Sequence, residues 1–189
     1  MSIEERLDRI EAHLAIQQLA VRYALAVDSR DLDLMVRQWV PDVWMGKAHG
    51  QGHDAVRRFF EPILSTFYRS IHMIVGHHID VIDSDNASGV VYCRAEHEDG
   101  EHWVVQAIIY EDTYRRVEGT WGFVKRVHRH WYSSPVQLAP SGPTFENWPG
   151  RGGPPPDLPQ AWRSWHDFWS AVDPEVISRH TAHPTVREQ

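Results

Sequence analysis

The sequence predicts an α+β fold in which three helices precede a curved antiparallel meander and pack on one side of it. Three observations carry this reading. Apolar residues recur at helical spacing through the first third of the chain, and from Ser70 the pattern changes to alternating or continuous apolar runs. Those runs are cut by short turn signals: DSDN at 83–86, EDGE at 98–101 and VEGT at 117–120. Long strands joined by tight turns pair antiparallel, and such a sheet buries one face, which the helices must cover.

Ser2 and Glu5 form a capping-box pattern, and Ile3, Leu7, Ile10 and Leu14 follow at heptad-like spacing, giving the first helix an apolar side to bury. With a break near Ala15, it runs on into a stripe of Leu19, Tyr23, Ala26 and Val27 that Asp28 closes. Leu32, Met35, Val36 and Trp39 give the second helix its buried face, and Pro41 fits just past its end. The third opens at Asp54 after the HGQGH loop and turns Val56, Phe59, Phe60 and Ile63 inward. Strands are predicted at 71–83, 87–98, 102–116 and 120–133.

Residues 1–135 therefore read as one α+β domain, and residues 136–189 as an appended arm and helix. The arm is rich in proline and glycine and cannot hold regular structure for long. Asp157 and Pro159 then open a helix in which Trp162, Trp165 and Trp169 fall near one stripe beside Phe168. That much aromatic area must dock on the body, over a pocket mouth or on a neighbouring subunit. The last ten residues read as frayed.

With 189 residues, 42% of them hydrophobic, the chain can bury one core but not two. A net charge of -7 and the lack of any Lys/Arg block argue against nucleic acid or an anionic membrane as partner. One cysteine, Cys93, rules out an internal disulfide or a thiolate zinc site. The charged, amphipathic N-terminus has no apolar core like that of a signal peptide, so the cytoplasm is the expected location.

Histidine is abundant at 13 copies, and His49 with His53, His77 with His78, and His128 with His130 are the candidate metal pairs. None has a recognised ligand arrangement, so no metal is expected. Asp28 is more telling. An aspartate at a helix C-terminus faces the negative end of the macrodipole, at a cost of a few tenths of a kcal/mol or more unless something holds it. Taken singly, Asp28 suits a turn cap, Tyr23 or His72 a core position, and Arg126 a solvated strand.

Taken together, the segments IQQLAVRYALAVD, SIHMIVGHHIDV and YEDTYRRVEGTWGFVKR resemble the nuclear transport factor two-like superfamily. The resemblance is narrower to its SnoaL-like group, which contains scytalone dehydratase, bile-acid dehydratase and hexachlorocyclohexane dehydrochlorinase. It covers about Ile3 to Pro135 and implies a cone-shaped curved sheet, an α+β barrel, closed by helices around a deep apolar pocket. It also implies that Asp28 orients and charges His72, which acts as the general base. Tyr23 would serve as a donor to substrate oxygen, although five residues from Asp28 is about 140° around an ideal helix, so spacing alone does not bring the two together. The dehydrochlorinase has lysine where this chain has Tyr23, which favours loss of water or enolate chemistry over loss of chloride. Arg126 would steady negative charge on the substrate or pair with Asp28. The Gly76, His77, His78 run stands where relatives often carry asparagine.

His97, spaced from His72 like a second histidine of scytalone dehydratase, is a candidate pocket residue, with Trp44, Phe60, His128 and Trp148 as further substrate contacts. The resemblance implies a cofactor-independent, metal-free lyase of the dehydratase type. Its substrate is hydrophobic, aromatic or polycyclic, and bears a hydroxyl and a carbonyl. Alternatives are an isomerase or cyclase using the same histidine and aspartate, a small-molecule carrier, or a subunit like the β-subunits of ring-hydroxylating dioxygenases. A homo-oligomer, dimer or trimer, formed through the outer face of the sheet is expected in either case.

Overall fold

The computed structural model describes residues 1–100, 102–136 and 158–181. Three helices, α1 (Ile3–Asp28), α2 (Leu32–Arg37) and α3 (His53–Leu64), precede four strands, β1 (Ser70–Val81), β2 (Asn86–Asp99), β3 (His102–Val117) and β4 (Thr120–Pro135). Helices α4 (Arg163–Ala171) and α5 (Pro174–Thr181) follow. The strands form one curved antiparallel sheet in the order β1-β2-β3-β4. It is open, not a closed barrel, so helices complete the cone. No helix among the described residues is long and apolar enough to cross a membrane.

The capping box forms as expected: the Ser2 hydroxyl accepts from the Glu5 N–H at 3.1 Å, and the Glu5 carboxylate accepts from the Ser2 N–H at 2.7 Å. Two details of α1 differ from expectation. The helix is continuous through Ala15, since Ala12, Ile16, Leu19, Ala20 and Tyr23 make one unbroken buried stripe across that point. Ile3, Leu7, Ile10 and Leu14 are exposed instead of buried, because they lie on the opposite side of the helix from the stripe that meets the sheet.

Strand boundaries fall within two residues of the predicted ones. A bulge at Val75 in β1 re-phases the alternation, so that Ser70, His72 and Ile74 and then His77 and Ile79 point to the concave face. Gly89, on β2, lies so close to β1 that a Cβ would stand 2.7 Å from the His78 carbonyl oxygen and 3.2 Å from the Tyr114 ring. Glycine is what lets the His78 carbonyl and the Tyr114 ring approach the strand this closely.

The predicted tryptophan helix docks on the body. Trp165 and Trp169 pack on Tyr68 with ring centroids 5.1 Å away, and the Ser164 hydroxyl donates to the Ser29 carbonyl at 2.8 Å. Helix α5, absent from the expectation, adds His180, stacked on Tyr68 and hydrogen-bonded to the Ser65 carbonyl at 3.2 Å. Helix α4 thereby sits against the α1–α2 turn, and α5 against Ser65 and Tyr68. Gly89→Ala should lower the free energy of unfolding by about 1–3 kcal/mol, measured by urea denaturation, because an added methyl there overpacks backbone against backbone.

Candidate active site

Each strand presents alternate residues to the concave face, where a cavity of about 490 Å³ opens between sheet and helices. Tyr23, Phe60, Phe67 and Tyr110 supply aromatic wall, while His72, His97 and Arg126 supply polar groups. That balance, apolar walls with a few convergent polar groups, is typical of a small-molecule site. Trp44 and His128 also line it and are exposed, at the rim. Trp148 lies outside the described residues.

Asp28 and His72 meet. The Asp28 carboxylate, at the end of α1, accepts the His72 backbone N–H at 2.8 Å through Oδ2 and its ring Nδ1–H at 2.7 Å through Oδ1. A carboxylate can only accept, so Nδ1 carries a proton, and in the neutral form of the ring Nε2 keeps its lone pair. The double contact offsets the unfavourable position at the helix end. The cap of α2 is Asp31, which accepts the Leu34 N–H at 2.7 Å.

Arg30 locks this corner. In the left-handed conformation (φ 57°) and buried, it donates to the carbonyls of Val27, Phe67 (2.7 Å) and Tyr68 (3.3 Å) and to the Ser70 hydroxyl (3.0 Å). It thereby ties the end of α1 to the start of β1, two residues from His72. Burial pulls its pKa down to about 10, partly offset by the nearby Asp28 charge. Ser70 lies opposite His97 in the β1–β2 register and within 3.4 Å of its Nδ1. His97 stacks on Phe67 at 4.3 Å and stands edge-on to His72 at 5.4 Å. Burial, with His72 and Arg30 close by, depresses its pKa to about 3, so its ring is neutral.

Arg126 pairs with Asp112, not Asp28. The two stand opposite in the β3–β4 register, with Nε–H donating to Oδ1 at 2.8 Å and an Nη2–H to Oδ2 at 2.6 Å. Burial opposes the charge on Arg126, but Asp112 outweighs burial and raises its pKa. The guanidinium carbon lies 4.2 Å from the ring centres of Tyr23 and Tyr110 and 4.3 Å from that of Phe123, a cation held among π faces. Its Nη1 is buried without a hydrogen-bond partner among the described residues. Tyr114 donates to Asp112 at 2.7 Å, which leaves its oxygen to accept the Nε2–H of His77 at 3.0 Å. Burial raises the pKa of Tyr23, so its phenol is neutral.

Sequence reasoning did not find Asp112, Tyr110, Arg30 or Ser70. The alternation of Tyr110, Asp112 and Tyr114 puts all three on one strand face, a signal that was there to read. Nothing in the local pattern marks Arg30, whose partners other than Val27 lie about 40 residues away.

His97 and His77, the latter depressed to about 4 mainly by burial, both bind protons more weakly folded than unfolded. Below their ordinary value of about 6.5 the unfolded chain takes up protons that the native state refuses, so stability falls as pH drops from about 6.5 towards 4. Urea unfolding at pH 7.5 and 5 should show this loss, and His97→Gln should reduce it.

A family model described as the SnoaL-like domain matches residues 8–127. A Mycobacterium tuberculosis protein of uncharacterized function is 28% identical over 134 residues, covering 67% of this chain and 88% of its own. The γ-hexachlorocyclohexane dehydrochlorinase of Sphingobium indicum is 26% identical over 145 residues, covering 72% and 93%. Among solved structures, LinA superposes with a TM-score of 0.65 at 24% identity, covering 74% of this chain and 99% of its own. A candidate scytalone dehydratase from Novosphingobium aromaticivorans superposes at 0.59 and 21%, covering 77% and 98%. These two structures speak for the fold. With the family model spanning well over half its length, the chain belongs to the SnoaL-like family.

Proposed function

We infer that the protein is a lyase of the dehydratase type, acting without a cofactor on a hydrophobic, cyclic hydroxy-carbonyl compound in the cytoplasm. The observation that carries this reading is the Asp28 carboxylate gripping both the backbone and Nδ1 of His72, with that ring on the cavity wall. In the reaction, Nε2 of His72 takes a proton from the carbon beside the substrate carbonyl. The released electron pair moves onto the carbonyl oxygen, while Asp28 stabilises the imidazolium that forms. As the enolate collapses to a carbon–carbon double bond, the carbon–oxygen bond to the hydroxyl breaks and water leaves with one proton. The neutral phenol of Tyr23 can donate that proton, and His72 returns its own to restore the phenol.

Arg126 enters this reading with its charge already balanced by Asp112. Its part is a fixed hydrogen-bond donor and a rigid support for Tyr23 rather than a free cation, so the site favours a neutral substrate over a carboxylate. A cavity of about 490 Å³ with aromatic walls suits a flat molecule of two or three rings. Isomerisation or cyclisation would begin with the same proton abstraction. Tyr23 lining the cavity, where it can protonate a departing hydroxyl, favours elimination.

The test is a screen of cyclic β-hydroxy ketones and thioesters followed by the absorbance of the conjugated product. His72→Ala should abolish turnover while leaving ligand binding within a few fold. Asp28→Asn should cut kcat by about 10²–10⁴ with little change in KM, since it upsets the tautomer and charge of the base. Ligand that binds and is recovered unchanged from both wild type and His72→Ala would identify a carrier instead.

A further inference from the structure

Helix α1 has two apolar faces, and the body of the protein uses one. Ala12, Ile16, Leu19, Ala20, Tyr23 and Val27 are buried against the sheet. Ile3, Leu7, Ile10, Leu14, Val21 and Leu25 are 44–81% exposed. At 100° per residue the second stripe lies on the opposite side of the helix, facing directly away from the body. Steps of three and four residues along it trace a heptad-like seam, with Gln17 at its one polar position. It runs about 33 Å along the helix, and continuous apolar strips of that length on a soluble protein mark a contact with another surface.

We propose that this seam is the interface between two copies of the chain, with their α1 helices antiparallel about a two-fold axis at Leu14. The first argument is self-complementarity. Leu14 is midway between Ile3 and Leu25, so the two-fold sets Leu14 on Leu14, Leu7 on Val21 and Ile3 on Leu25, while Ile10 meets the aliphatic stems of Gln17 and Gln18. The second is charge. Glu4 and Arg22 flank the seam on the same side at opposite ends, and the two-fold brings Glu4 of one copy beside Arg22 of the other, twice over. Antiparallel macrodipoles also attract, whereas a parallel pair would bring both positive ends together. The third is clearance. Each α1 packs on its own sheet with the opposite face, so the two bodies lie on the outer sides of the helix pair.

The native cysteine, Cys93, is buried, so an introduced thiol on α1 is uniquely reactive. Leu14→Cys in the full chain should oxidise rapidly to a covalent dimer, Ile3→Cys alone should not, and an equimolar mixture of Ile3→Cys with Leu25→Cys should. By sedimentation equilibrium at micromolar concentration, the wild type should have twice the monomer mass. Leu14→Glu should have the monomer mass with an unchanged circular dichroism spectrum, since residue 14 is exposed on its own chain. Val75→Glu, on the exposed sheet face, should leave the mass doubled. The proposal is overturned if the wild type is monomeric, if Leu14→Glu stays associated, if Val75→Glu dissociates it, or if Ile3→Cys cross-links with itself.

Discussion

The arrangement of the site depends on one carboxylate held where a helix would reject it. Asp28 ends α1 against the dipole, and two donors on one residue of β1 keep it there. Because one of those donors is backbone, the grip fixes where His72 sits as well as how its ring turns. The nearest compensation comes from Arg30, which is buried, has no ion pair among the described residues and is satisfied chiefly by carbonyls. It keeps its charge near Asp28 without seizing the carboxylate, which leaves both oxygens for the histidine.

A second network faces the first across the cavity. Asp112 gathers Arg126 and Tyr114, and Tyr114 in turn takes His77, so that a cation is placed beneath the aromatic wall with its charge paired. Breaking such a buried pair on one side is costly, since it strands the other charge. The two networks divide the labour: one fixes the His72 ring on the cavity wall, and the other stiffens the aromatic wall beside it. Tyr23 connects them, reaching from the same helix as Asp28 to lie on the guanidinium face.

Much of the fold was legible because its signals are local. The change of period at Ser70 and the three turn tetrapeptides set the strands to within two residues, and Asp28 stood out as a misplaced charge. What failed was orientation. The seam of Ile3, Leu7, Ile10 and Leu14 is a sound helical pattern, yet the helix buries its alanine-rich side, since small residues let it lie close on the sheet. Arg126 was expected to steady a substrate or pair with Asp28, because cross-strand register, which places Asp112 opposite it, is not visible until the hairpin is drawn. Arg30 was illegible for a related reason: its carbonyl partners have no side-chain signature.

The C-terminal helices have a consequence for how this chain can diverge. They follow the family-matched residues, yet Trp169 lies 6.0 Å from the Arg30 guanidinium and Ser164 bonds the turn beside it. They brace the turn that carries Asp28 and Arg30 from behind. The rim around Trp44 and His128 lies apart from that bracing. Substitutions there can reshape the cavity mouth while the contact between Asp28 and His72 stays fixed.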